Sequence, residues 1–431
     1  MTFRSATRVR TRRAALALAL AGLLGTTACG SGDGTDEATS TPSSTSASPS
    51  TSTTAPSSSS SPSTSSPSAS ASASGSALPV SACVRERAEA LSEEQALGQL
   101  VMVALDSGAA QSSLDDDISA RKVGNVFLLG GWRDGAARVK KATDHLQDQA
   151  TEAATDGIPL LIAADQEGGE IRQLRGDGFT KGPSAKVQGT MDPAELTAAA
   201  TGWAKELKAA GINVNLAPVT DTVPADLGRA NAPIGKWGRQ YGSTPAAVTK
   251  GSTAFIKGMS AGGVMSTVKH FPGLGRVKNN TDFDSSGIVD SVATPDDPYL
   301  APFMAGVEAG AGLVMMSSAR YPGLDKTETQ AMFSKPIITG LLREKLGYDG
   351  VVITDDLNAE AVRSIPAGKR AVDYISAGGD ILLTGDAASV GPMVDALAEK
   401  ARADEKFATL VETSVLRVVA LKERMGLIDC G

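Results

Sequence analysis

The chain has 431 residues, with 41 Lys and Arg set against 48 Asp and Glu. A net charge of −7 excludes a general basic surface for nucleic acid, so no nucleic-acid partner is expected. Three cysteines and two histidines, nowhere clustered at ligand spacing, leave no metal cage to predict, and no cofactor is expected.

The first 29 residues read as an export signal. Arg8, Arg10, Arg12 and Arg13 make a basic start, and the apolar run at 14–24 is too short to span a bilayer. Arg12-Arg13 leaves the general and the twin-arginine routes both open. Thr26-Thr27-Ala28-Cys29-Gly30 resembles a bacterial lipoprotein box, with Thr26 where leucine is usual. A lone cysteine directly after the apolar run points to lipid attachment at Cys29 and a membrane contact through that anchor. The alternative is an ordinary signal peptide with an incidental cysteine. Residues 30–80 are almost all Ser, Thr, Pro, Ala and Gly. Such a segment buries too little apolar surface to offset its ordering entropy and serves as a flexible tether. Together these segments predict a surface lipoprotein of Gram-positive or actinobacterial type, on the extracellular face of the membrane or secreted.

Cys83 and Cys430 bracket the remaining chain. In an oxidising compartment an even pair at two ends predicts a disulfide joining them; two free thiols are the alternative.

Residues 82–431 suit one large α/β domain, expected as a monomer. Ser92 and Gln95 stand at capping-box spacing and open a helix. Apolar strand-like runs follow at 100–105, 125–129, 160–164, 214–219, 264–268, 313–317, 351–354 and 380–384. Helical patterns separate them, for example at 195–210, 246–261, 299–309 and 335–346, and a last amphipathic stretch at 407–425 closes the chain. Gly211, Gly262-Gly263, Gly350 and Gly378-Gly379 are expected as helix C-caps before the next strand. Eight buried runs alternating with helices predict a (β/α)8 barrel. An open doubly wound sheet is the rival, but no Gly-x-Gly-x-x-Gly follows the first strand.

In such a barrel, residues just past each strand line the site. Strand three ends in Asp165-Gln166-Glu167-Gly168-Gly169, and Asp221 follows strand four, with Trp237 and Arg239 in its loop. Strand five ends in Lys269-His270, strand six in Ser317-Ser318-Ala319-Arg320, and strand seven in Thr354-Asp355-Asp356. A ring of carboxylates, cations and hydroxyls suits a polyhydroxylated substrate. Asp221 is read either as a helix cap or as a site residue, Asp356 as held by backbone amides in preference to a direct role, and His270 either as a site residue or as a loop anchor.

Lys269-His270-Phe271-Pro272-Gly273, the Asp165-to-Gly169 motif and Ile353-Thr354-Asp355-Asp356-Leu357 resemble the catalytic domain of glycoside hydrolase family 3. The resemblance covers about residues 91–427 and is nearest to the family's single-domain bacterial β-N-acetylhexosaminidases. It implies a (β/α)8 barrel, a carbohydrate substrate and a retaining mechanism with Asp355 as nucleophile. It also implies that Asp165, Arg239, Lys269 and His270 hold the sugar.

The chain departs from the family pattern in three ways. Leu274 stands where His is usual after the Lys-His-Phe-Pro-Gly motif. The arginines usual after the strand-three motif fall at Glu170 and Gln173, with Arg172 beside the latter. The loop after strand five lacks the hexosaminidases' acid/base His and reads Asn279-Asn280-Thr281-Asp282-Phe283-Asp284. Counting from His270, Asp282 falls at the expected place and is the candidate acid/base. The expected activity is removal of terminal β-linked N-acetylglucosamine-type sugars, with cell-wall fragments as one source. A β-glucosidase, or a catalytically impaired glycan-binding protein on the same barrel, are the alternatives.

Overall fold

A computed structural model describes residues 80–430. The export signal, the lipidation candidate Cys29 and the tether up to residue 79 lie outside the described residues.

Eight strands form the barrel: β1 Val101–Asp106, β2 Asn125–Leu129, β3 Leu161–Ala164, β4 Val214–Asn215, β5 Met265–Phe271, β6 Leu313–Met316, β7 Val351–Thr354 and β8 Leu382–Thr384. Each pairs in parallel with the next. β8 returns to β1 with Val101 opposite Leu382, and a parallel bridge from Ile353 to Ile381 closes the ring. The fold is a (β/α)8 barrel. Strands and flanking helices share one apolar core, with Val101, Met102, Val126, Ile162, Val268, Val314 and Val352 at 0% exposure.

Local chemistry sets where the helices start. Ser92 and Gln95 form the expected capping box, each side chain bonded to the other's backbone amide. Asp192 caps Pro193–Ala209, with proline at a first-turn position that needs no amide. Asp404 caps the closing helix Glu405–Arg424. The helix expected at 335–346 forms as Pro336–Lys345, wound in the wider i→i+5 pattern. Gly211, Gly263 and Gly378 adopt the left-handed conformation expected of a cap, whereas Gly350 does not; Gly347 takes that role before β7. Cys83 and Cys430 are joined by a disulfide with their Cα atoms 5.7 Å apart.

Two strands end three or more residues from where the sequence places them, and both differences shape the site. β4 ends at Asn215 rather than 219. Pro218 has no amide to donate, which interrupts the ladder, and pairing resumes only as a single bridge from Val219 to Lys269. β5 runs on to Phe271 rather than ending at 268. Lys269 and His270 therefore lie within the strand. Lys269 pairs with Met315 and Phe271 with Met316, so His270 is an extra residue in the register; the peptide bond between Lys269 and His270 is cis. Consecutive strand residues ordinarily face opposite ways. At this bulge both side chains line one cavity.

Candidate active site

At the C-terminal mouth of the barrel lies a cavity of about 280 Å³. Asp165, Arg239, Lys269, His270, Asp282 and Asp355 all line it. The barrel thus gathers side chains from Asp165 to Asp355, delivered by the ends of β3, β4, β5 and β7 or the loops after them, with Lys269, His270 and Asp282 all coming from β5 and its loop.

Lys269 is 2% exposed. Its Nζ lies 2.8 Å from Glu167 Oε1 and also bonds Asp165. Arg239 meets Glu167 with two guanidinium nitrogens, Nε at 2.9 Å and a terminal nitrogen at 2.7 Å. Burial alone would raise the Glu167 pKa, but Arg239 and Lys269 override it and bring the carboxyl to about 2. Burial would lower Lys269, and Asp165 and Glu167 reverse that, leaving it above its ordinary value. Each buried charge is held by its neighbours.

Glu167 is the member of this network that the sequence reading passed over. It sits in the quoted strand-three motif, two residues from Asp165, but its partners are 72 and 102 positions away. The clue was a carboxylate next to glycines in a tight turn. Gly168 there has φ +106°, and a Cβ would meet the Pro183 carbonyl oxygen at 2.2 Å. Gln188 holds the turn from behind through the Glu167 carbonyl oxygen at 2.8 Å.

Asp221 is fully buried and anchors His270; it does not cap a helix. Its Oδ2 lies 2.8 Å from His270 Nδ1, and it accepts the backbone amide of Leu274 at 2.6 Å. With Nδ1 turned to a carboxylate, Nε2 is left facing Arg239 at 3.4 Å. Leu274 presents an apolar side chain to the cavity, and Gln173 lines it too. Arg172 turns away to the Gly169 carbonyl.

Asp355 follows β7 directly. Its amide donates to Met316 O at 3.1 Å, and its Oδ1 accepts the Asp356 amide at 2.9 Å. Burial pushes its pKa up to about 6; His270 and Lys269 oppose the rise, and the Asp282 charge adds to it. Asp356 also lines the cavity but is braced by the amides of Asn358 and Gly385, both at 2.8 Å.

Asp282 stands exposed on the rim. Its carbonyl accepts the Glu360 amide at 3.2 Å, and the Thr281 carbonyl accepts the Ala361 amide at 3.1 Å. These bonds tie the loop after β5 to the segment after β7. The loop's stem is fixed by Arg276, which pairs with Asp290 at 2.8 Å and with Asp297. Asn231 stitches the neighbouring loop to it, donating to the carbonyls of Leu274, Gly275 and Val277 and accepting from the amides of Ile234 and Gly235.

The residues after β6 do not join the site. Ser317 accepts from the Ala319 amide and the Tyr321 hydroxyl, and Arg320 reaches the Ser285 carbonyl. Trp237 is 48% exposed and lies against the Lys236 ammonium, 5.3 Å from its ring centroid.

Paired carboxylates with cations and imidazole at the open end of a parallel barrel define a hydrolase for hydroxyl-rich substrates. Residues 92–421 match the N-terminal domain of glycosyl hydrolase family 3, and the chain belongs to that family. It is a glycosidase, hydrolysing O-glycosyl bonds. An uncharacterized secreted glycosyl hydrolase of Arthroderma benhamiae is 34% identical over 361 residues, covering 80% of this chain and 97% of that one. A β-hexosaminidase of Xylella fastidiosa is 36% identical over 233 residues, 52% of this chain and 67% of that one. Among solved structures, a β-N-acetylhexosaminidase from Beutenbergia cavernae is 45% identical with a TM-score of 0.75, covering 77% of this chain and 99% of that one. A family 3 β-N-acetylglucosaminidase from Paenibacillus is 31% identical with a TM-score of 0.69, covering 79% and 64%.

Proposed function

We propose that this protein is a retaining β-N-acetylhexosaminidase that removes terminal N-acetylglucosamine-type sugars. The observation that carries this reading is Asp355, a half-buried carboxylate at the cavity wall with Lys269 and His270 beside it. In the first step the ionised Asp355 attacks the anomeric carbon as the bond to the leaving oxygen breaks. Asp282 gives its proton to that oxygen. In the second step Asp282 takes a proton from water, and the water oxygen displaces Asp355 from the sugar. Asp165, Lys269 and Arg239 hold the sugar hydroxyls, with Glu167 keeping both cations charged and in place.

A 2-fluoro sugar with a good leaving group tests the nucleophile directly. The covalent adduct is expected on the peptide carrying Asp355, and an unlabelled Asp355 would sink the assignment. Asp355→Ala is expected to lose at least ~10⁴-fold in kcat on aryl N-acetylglucosaminides. Equal turnover by wild type and variant across several aryl sugars would return the chain to the glycan-binding reading. Faster turnover of aryl glucosides than of N-acetylglucosaminides would make it a β-glucosidase. Asp282→Asn is expected to cost about 10²–10⁴-fold on substrates with poor leaving groups and much less on activated aryl glycosides. An equal loss on both classes would remove Asp282 from the acid role.

Export to the outer face of the membrane and lipidation at Cys29 belong to the same proposal, and the basic start, short apolar run and small residues around Cys29 support them. Fatty-acid labelling that persists in Cys29→Ser would refute lipidation there.

A further inference from the structure

The cavity of about 280 Å³ is near the lower end of the range for small-molecule sites, roughly 300–1,000 Å³. It suits one sugar ring with its substituents. The group on the other side of the scissile bond then lies at the rim, beside Asp282. The next residue is Phe283. It is 78% exposed, more than any other large apolar side chain among the described residues.

Phe283 is carried by a defined turn. Its amide and that of Asp284 both donate to the Asn280 carbonyl, at 3.1 and 2.9 Å. Asn279 Nδ2 closes the loop onto the Ser286 carbonyl at 3.0 Å. Holding an aromatic ring in water costs the burial that the ring would gain against an apolar face.

A second observation points to a ligand at the same loop. Thr281 is 1% exposed, lines the cavity, and its hydroxyl has no hydrogen-bond partner among the described residues. A buried hydroxyl left unpaired is costly, and a ligand oxygen in the cavity would satisfy it.

We propose that Thr281 and Phe283 form the leaving-group subsite and make the enzyme favour a pyranose over a leaving group without a ring. Phe283 stacks on the C–H face of the leaving sugar, and the Thr281 hydroxyl bonds an oxygen near the scissile linkage. This rests on the assignment of Asp355 and Asp282 above.

The test compares N,N′-diacetylchitobiose with β-N-acetylglucosaminyl fluoride, whose leaving group has no ring. In Phe283→Ala the ratio of kcat/KM on chitobiose to that on the fluoride is expected to fall about tenfold. Phe283→Trp is expected to restore most of that ratio. A ratio in Phe283→Ala within twofold of wild type overturns the subsite. Wild-type enzyme that turns over the fluoride but not chitobiose overturns it as well. A wild type inert toward both compounds instead overturns the glycosidase reading on which it rests.

Discussion

Two lysines show how the two ends of this barrel are built to different requirements. Lys269 at the catalytic mouth and Lys422 at the opposite end are both withdrawn from water, at 2% and 0% exposure. Lys269 faces Asp165 and Glu167 and is held above its ordinary pKa. Lys422, on the closing helix Glu405–Arg424, has only neutral partners: Gln99 Oε1 at 2.6 Å and the Gly124 carbonyl at 3.0 Å. Burial pulls it down to about 7. The mouth keeps its charge because a substrate must be gripped; the floor needs only a long side chain that reaches two acceptors.

The comparison breaks hardest at Glu167. Glu167→Gln leaves the buried Lys269 and the half-buried Arg239 with half their compensation gone, and a loss of about 3–5 kcal/mol is expected in denaturant unfolding. The sign with pH follows from its lowered pKa. Its stabilisation is complete above about 4.5 and disappears as pH falls toward about 2. The wild-type protein is therefore expected to lose stability across that window more steeply than the variant. Matching slopes would mean that Glu167 is not held ionised by the cations.

A middle-sized effect concerns Asp355. A nucleophile must be ionised, so kcat/KM is expected to fall as pH drops through about 6, the value that burial, opposed by His270 and Lys269 and reinforced by Asp282, gives it. Removing the Asp282 charge should move that acid limb to lower pH. An acid limb that stays put in Asp282→Asn would separate the two carboxylates electrostatically.

The smallest expected effect is at the floor. Between pH 7 and 10.5 the folded protein releases the Lys422 proton while the unfolded chain keeps it. Stability therefore gains from rising pH across that window through this group. Lys422→Met should flatten that rise while costing no more than ~1–2 kcal/mol near pH 7, since it exchanges two hydrogen bonds for apolar packing. A loss as large as that of Glu167→Gln would erase the distinction between the two ends.

Much of this was readable from the chain because strand ends are local events. The polar steps at Asp165, Lys269-His270 and Asp355 each break an apolar run, and a barrel brings such breaks together. What stayed hidden depends on partners distant in sequence. Nothing near Glu167 announces a lysine and an arginine as its neighbours, and nothing near Asn231 announces five backbone groups from two loops. Asp221 looked equally like a helix cap because an isolated Asp after a strand fits either use. The length of β5 was missed because pairing of Phe271 to Met316 depends on a register skip that periodicity does not encode.

The Cys83–Cys430 bridge changes how the fold carries load. A pull applied at the N-terminal edge of the described residues would arrive first at the short helix Ala82–Glu89. An unlinked terminal helix of eight residues would peel away turn by turn under such a pull. Here the second residue of that helix is welded to the far end of the sequence, 347 positions on. Such tension would pass through sulfur to Cys430, six residues beyond the closing helix Glu405–Arg424, so the first turn to meet a force would be braced by the last part of the barrel to be made.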